Sequence, residues 1–98
     1  MFKRARIDDN QKQIVSYLRK VGATVQSLAT IGSGCPDILV GYGGVNYLFE
    51  IKRPGKRKQL TSDQITWHDK WRGYVVLVQD VDECLVVLGI EKGEDYND

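Results

Sequence analysis

Pro36-Asp37-Ile38-Leu39-Val40-Gly41-Tyr42-Gly43-Gly44-Val45-Asn46-Tyr47-Leu48-Phe49-Glu50-Ile51-Lys52 is the stretch that decides the fold. Two runs rich in β-branched and aromatic residues flank a glycine pair, the mark of a hairpin with a two-residue loop. With Gly43-Gly44 as that loop, Tyr42 faces Val45, and stepping outward along both strands puts Asp37 opposite Glu50. Side chains so placed hold their Cβ atoms roughly 4.5–5.5 Å apart. Lys52 points the same way as Glu50, because strand side chains alternate between faces. The second face presents Ile38, Val40, Tyr47, Phe49 and Ile51, an apolar set that needs a helical cover. The first is apolar near the turn, through Leu39 and Leu48, and charged at its far end. Facing carboxylates repel. A divalent cation between them removes that repulsion and supplies a Lewis acid, so the spacing predicts a metal-dependent site for cutting phosphodiesters.

Outward from the hairpin, the pattern alternates between helix and strand. Asp8 or Asp9 caps a first helix whose stripe is Ile14, Leu18 and Val21, with Val15 and Tyr17 beside it and Gly22 at its end. Ala23–Leu28 reads as a strand and Ile31–Cys35 as a glycine-containing loop. Pro36 can open the following strand, where a missing N–H is tolerated. Beyond the hairpin, Pro54-Gly55 marks a turn. Thr61 and Gln64 then form a T-x-x-Q capping box, with Leu60 and Ile65 in the staple positions. Gln64, Trp67, His68 and Trp71 fall on one face of that helix, and Gly73 is expected to close it. Tyr74–Val78 reads as a strand buried on both faces. Asp80 and Glu83 open a last helix through Leu85 and Leu88 to Gly89. The order is α-β-β-β-α-β-α: one α/β domain over residues 1–90, a mixed β-sheet flanked by helices, with the last strand joining the hairpin through a helical crossover. Residues 91–98 form an acidic tail expected to be disordered.

A chain of 98 residues is long enough for a single modest core. Apolar content of 42% and charged content of 28% are ordinary for a globular protein, and no apolar run reaches the ~18 residues of a membrane-spanning helix. Met1–Ile7 carries Lys3, Arg4 and Arg6 without an apolar core, which reads against a signal peptide. Cys35 and Cys84 follow no ligand or disulfide spacing and fit reduced thiols in the cytoplasm. With a single histidine, His68, a structural or histidine-based zinc site is nearly excluded, so any metal here is held by oxygen, which favours magnesium or manganese. The net charge of +1 is uninformative, but its distribution is not. Lys52, Arg53, Lys56, Arg57 and Lys58 form a basic block without an acid, directly after the carboxylate pair. A charge run is usually a solvated loop; this one sits where a phosphate backbone would lie.

Each site residue has a bland reading beside the chemical one. Asp37 and Glu50 could be solvated strand ends, and Lys52 an edge lysine that discourages aggregation. The functional reading gives Lys52 the attacking water and the charge of a phosphorane-like transition state, and gives the Ile51 carbonyl a place in the metal's oxygen shell. Gln64 is either the cap partner of Thr61 or a reach from the next helix to Lys52. Trp67 and Trp71 read as core anchors more readily than as base-stacking platforms. His68 has no carboxylate fixed by spacing and reads as a hydrogen-bonding residue at the helix edge. Gln11 lies on the buried stripe, either capping its helix or leaning toward Asp37.

Taken together, Asp9-Asn10-Gln11, Gly32-x-Gly34-x-Pro36-Asp37, Leu48-x-Glu50-x-Lys52, Leu60-Thr61-x-x-Gln64 and Gly73 to Val76 resemble a minimal, stand-alone VRR-NUC domain, a branch of the PD-(D/E)xK nucleases. The resemblance covers nearly the whole chain except its tails. It implies a restriction-endonuclease-like fold and a magnesium- or manganese-dependent endonuclease. Asp37, Glu50 and the Ile51 carbonyl would be ligands, Lys52 the catalytic lysine and Gln64 a supporting residue. Many relatives carry a glutamate in the first helix as a further ligand; Gln11 stands in the matching place and leaves one metal ion or two open. Small stand-alone members are similar to Holliday-junction resolvases, which implies a homodimer on branched DNA, often phage or prophage encoded. Arg53, Lys56, Arg57 and Lys58 are the expected DNA contacts. Two rival readings stand beside this one: a nuclease-fold protein that binds DNA without cutting, and a nuclease acting on flaps or RNA.

Overall fold

Ile14 and Leu18, one helical turn apart, are buried on the inner stripe of α1 (Asp9–Lys20). The computed structural model describes residues 9–53, 55 and 59–91. The expectations for residues 1–8, for Pro54 of the turn, for Lys56, Arg57 and Lys58, and for residues 92–98 of the tail lie outside these. After α1 the chain turns at Gly22, and the Ala23 N–H donates to the Leu18 carbonyl at 3.0 Å, closing the helix end. It then enters β1 (Thr24–Ser27).

The hairpin forms as the glycine pair dictates. β2 (Ile38–Tyr42) and β3 (Val45–Ile51) pair antiparallel, with Tyr42 opposite Val45 and Ile38 opposite Phe49. Gly43 and Gly44 both take positive φ, +59° and +81°, as a turn that matches the twist of the strands requires. The ladder ends short of the expected strand, which was to open at Pro36: β2 begins at Ile38 and its last pair is Ile38 with Phe49. Asp37 donates its N–H to the Phe49 carbonyl at 3.1 Å and so stands just beyond the last pair, not within it.

A crossover through α2 (Ser62–Lys70) brings β4 (Val75–Val78) parallel to β3, and α3 (Val81–Leu88) follows. The sheet order is β1-β2-β3-β4. The described residues thus form a small single-domain α/β protein with a four-stranded mixed sheet and three helices, in the expected order α-β-β-β-α-β-α. Ile38, Val40 and Phe49 are fully buried on one sheet face, where Ile14, Leu18, Cys84 and Leu88 cover them from α1 and α3. That is the helical cover the apolar face of the hairpin demanded. Among the described residues no helix is long and apolar enough to cross a membrane.

The far side of the sheet departs from expectation. β4 is an edge strand, and only Val78 of its four residues is buried, so it is not enclosed on both faces. Helix α2 buries none of its residues. Trp67 and Trp71 are therefore not core anchors: their rings stack on each other at 4.6 Å, with Trp71 45% exposed. Ile65, at the staple position, is 56% exposed. The helix stops at Lys70 with an extended Trp71 as its cap, so Gly73 does not close it. Gly73 instead lies under the Trp71 ring.

Candidate functional site

Asp37 is fixed through its backbone on both sides. Its carbonyl accepts from the Leu28 N–H at 2.9 Å, while its own N–H donates to Phe49. Its side chain turns toward β3, where Oδ2 accepts from the Ile51 N–H at 2.7 Å. Glu50, on the sheet face opposite the core, is 1% exposed. The two carboxyl groups meet there, close enough to share a hydrogen bond. The facing carboxylates inferred from the hairpin are thus side by side, although Asp37 reaches its place from beyond the ladder.

A buried carboxylate beside another cannot comfortably keep its charge. Burial first, then the Asp37 charge and the hydrogen bond with Asp37, push Glu50 up to about 8, against a smaller opposing pull from Lys52. Near neutral pH, without a cation, the pair retains one proton. The Cys35 thiol, in the loop leading to Asp37, is also pushed up, by burial and then by Glu50 and Asp37. It stays a thiol and offers no nucleophile.

Gln64 fills both of the roles its position allowed. Thr61 accepts from its N–H at 3.2 Å, and its side-chain oxygen accepts from the Thr61 N–H at 2.9 Å, which completes the capping box. The same oxygen accepts from Lys52 Nζ at 2.7 Å, while Nε2 donates to Glu50 Oε2 at 3.0 Å. One amide therefore ties the start of α2 to both charged residues of β3. Lys52 Nζ lies 3.8 Å from Glu50 Oε2 and is engaged mainly by Gln64. The Ile51 side chain packs against the core, as its strand parity requires.

Two residues that the sequence reading left outside the site belong to it. Asn10 Nδ2 donates to the Lys52 carbonyl at 3.2 Å and to the Gln79 carbonyl at 3.0 Å, clamping the ends of β3 and β4 to the first turn of α1. The signal was present, since Asn10 lies one turn before Ile14 on the buried stripe. His68, expected only at the helix edge, brings Nε2 within 3.9 Å of Glu50 Oε1. It lies one turn after Gln64, and that spacing pointed it inward. Burial first, then the Lys52 charge, hold its pKa below the usual value, so the ring is neutral at pH 7. Gln11 is buried at 7% exposure in α1. Arg53 is exposed just past Lys52.

Gly34 sets the distance between the two halves of the site. Its φ is +84°, and a Cβ there would lie 2.9 Å from the Gln64 nitrogen and collide with the Asp63 carbonyl. The loop before Asp37 can therefore lie against the backbone of α2 only because that position has no side chain. Among the described residues no three His, Cys, Asp or Glu side chains converge as a metal-holding group. Comparison with known protein families, with curated proteins and with solved structures finds no match.

Proposed function

We propose that this chain is a magnesium- or manganese-dependent DNA endonuclease with a restriction-endonuclease-like fold, of the VRR-NUC kind that its motifs resemble. The observation that carries the reading is Glu50: a carboxyl group 1% exposed, set against Asp37, with Oε1 buried and without a hydrogen-bond partner. A fold with no use for that arrangement would lose stability by keeping it.

The donor set suits a hard cation. Asp37, Glu50 and the Ile51 carbonyl would hold the ion, and when bound it supplies Lewis-acid polarisation of the scissile phosphate. A short protein donor set is what magnesium usually has, with water and phosphate oxygens completing its shell. Lys52 offsets the charge that develops on the phosphoryl oxygens. Gln64 keeps Lys52 and Glu50 at fixed separation, and Asn10 holds the backbone from which Lys52 projects. Arg53, with Lys56, Arg57 and Lys58 beyond it in sequence, would contact the phosphate backbone. The substrate proposed is branched DNA, cut by a homodimer.

The test is digestion of matched four-way junction, flap, duplex, single-stranded DNA and RNA, with and without magnesium or manganese. The expected result is metal-dependent cutting of DNA, strongest on the branched substrates, and lost in Asp37→Asn. Binding without cutting under every metal condition would make this a DNA-binding protein, and cutting of RNA alone would move the substrate class.

A further inference from the structure

Glu50 Oε1 and His68 Nε2 are the buried side-chain polar atoms without a hydrogen-bond partner among the described residues, and they face each other at 3.9 Å. That separation is too long for a hydrogen bond between them. It suits a single oxygen about 2.8 Å from each, subtending an angle of about 90°. Neither atom is free to swing away. The other oxygen of Glu50 is held by Gln64, and the His68 ring packs edge-on against Trp67 at 5.7 Å on a helix anchored by its capping box.

We propose that His68 is a further catalytic residue of this site, its Nε2 accepting a hydrogen bond from the attacking water while that water donates its other proton to Glu50 Oε1. The assignment rests on the nuclease reading above. A phosphate oxygen cannot take this place, because it has no proton for the carboxylate and shares its charge. Water has two protons, and giving both to acceptors leaves its lone pairs directed outward, toward phosphorus. That requires the tautomer with the ring proton on Nδ1; a proton on Nε2 would occupy one of the lone pairs instead. As the water oxygen bonds to phosphorus and the P–O bond to the leaving strand breaks, one water proton passes to Nε2 and on to solvent. Solvent protonates the departing oxygen.

His68 is the sole histidine of the chain, so its ring nitrogens give one unambiguous set of NMR signals. Nitrogen-15 spectra of the folded protein near pH 7, with and without magnesium, should show the proton on Nδ1. A proton on Nε2 would overturn the proposal. In single-turnover cleavage His68→Ala should slow the step on the order of 100-fold, with DNA affinity and the magnesium requirement unchanged. His68→Gln, whose amide oxygen can accept the hydrogen bond from the water but cannot take its proton, should stay nearly as slow as the alanine variant. An alanine or glutamine variant as fast as the parent removes His68 from the reaction and leaves the nuclease reading intact. A parent protein that cuts no nucleic acid removes both.

Discussion

Glu50 is held almost out of solvent, with Asp37 on one side and Gln64 on the other, and the consequence is a dependence on pH that can be signed. Its folded-state value of about 8 lies above the ordinary glutamate value of 4.5, so between those limits the native protein binds a proton that the unfolded chain has lost. Stability then falls as pH rises through that window and is fully retained below it. The melting temperature of metal-free protein should therefore decline from pH 5 to pH 9, and Asp37→Asn, which removes the neighbouring charge, should flatten the decline. A parent protein that gains stability over that range would show that Glu50 does not retain its proton on folding. Magnesium should restore the stability lost at high pH, since the cation takes the place of the shared proton. Asp37→Asn and Glu50→Gln should both abolish cleavage on a folded protein, whereas Lys52→Ala should reduce turnover more than DNA binding. Full activity in either amide variant at saturating metal would sink the ligand assignment. These three residues were legible because strand parity and a two-residue turn fix register, and register fixes which side chains meet. His68 was legible only in part: its place one turn after Gln64 points it inward, but its approach to Glu50 depends on how α2 lies on the sheet.

Helix α2 shows what local sequence cannot decide. Its start was readable from Thr61 and Gln64, which cap it as their spacing demands, because capping is settled within four residues. Its end was not: glycine at 73 suggested a cap, yet the helix stops at Lys70 and Trp71 folds over Gly73. Nor did the apolar pattern show that Trp67 would stack on Trp71 and not enter a core. With no buried residue of its own, α2 is held to the sheet face by Gln64 and the close approach of Gly34. Such an element opens more readily than helices packed on a core. Amide exchange should be faster through Ser62–Lys70 than through the middle of α1, and equal protection in both would show α2 to be better anchored than its burial implies. Gly34→Ala is the sharpest test of the docking. The substitution costs roughly 1–2 kcal/mol for the left-handed backbone alone, and the Asp63 carbonyl must retreat as well. The expected variant keeps α1, α3 and the sheet, loses protection in α2 and loses cleavage with it. A variant with parent-like exchange in α2 would mean that the helix does not depend on that contact.

At the scale of the molecule the two sheet faces are unequal, and that inequality bears on assembly. The topology was legible from the alternation of patterns, because a parallel strand after a hairpin needs a crossover and α2 supplies it. The covered face was legible too, since Ile38, Val40 and Phe49 share strand parity. What the pattern left open was how little apolar surface would remain to enclose the other face. Ile65 at 56%, Trp71 at 45% and Tyr74 at 56% exposure lie on α2 and the segment leading from it to β4. Large exposed apolar side chains close together in the chain are a candidate interaction surface. A two-fold partner would cover this surface and set two sites on the two strands of a junction, which is the geometry a homodimeric resolvase needs. Light scattering at micromolar concentration should give about twice the mass of the 98-residue chain, and Trp71→Glu should return it to the monomer. The same substitution should lower cutting of a four-way junction far more than nicking of linear duplex, because only the former requires two sites held together. A parent protein that is strictly monomeric, and that nicks duplex as readily as a junction, would defeat the dimer. It would leave the chemistry at Asp37, Glu50 and Lys52 standing, because all three belong to one chain and none depends on a neighbour.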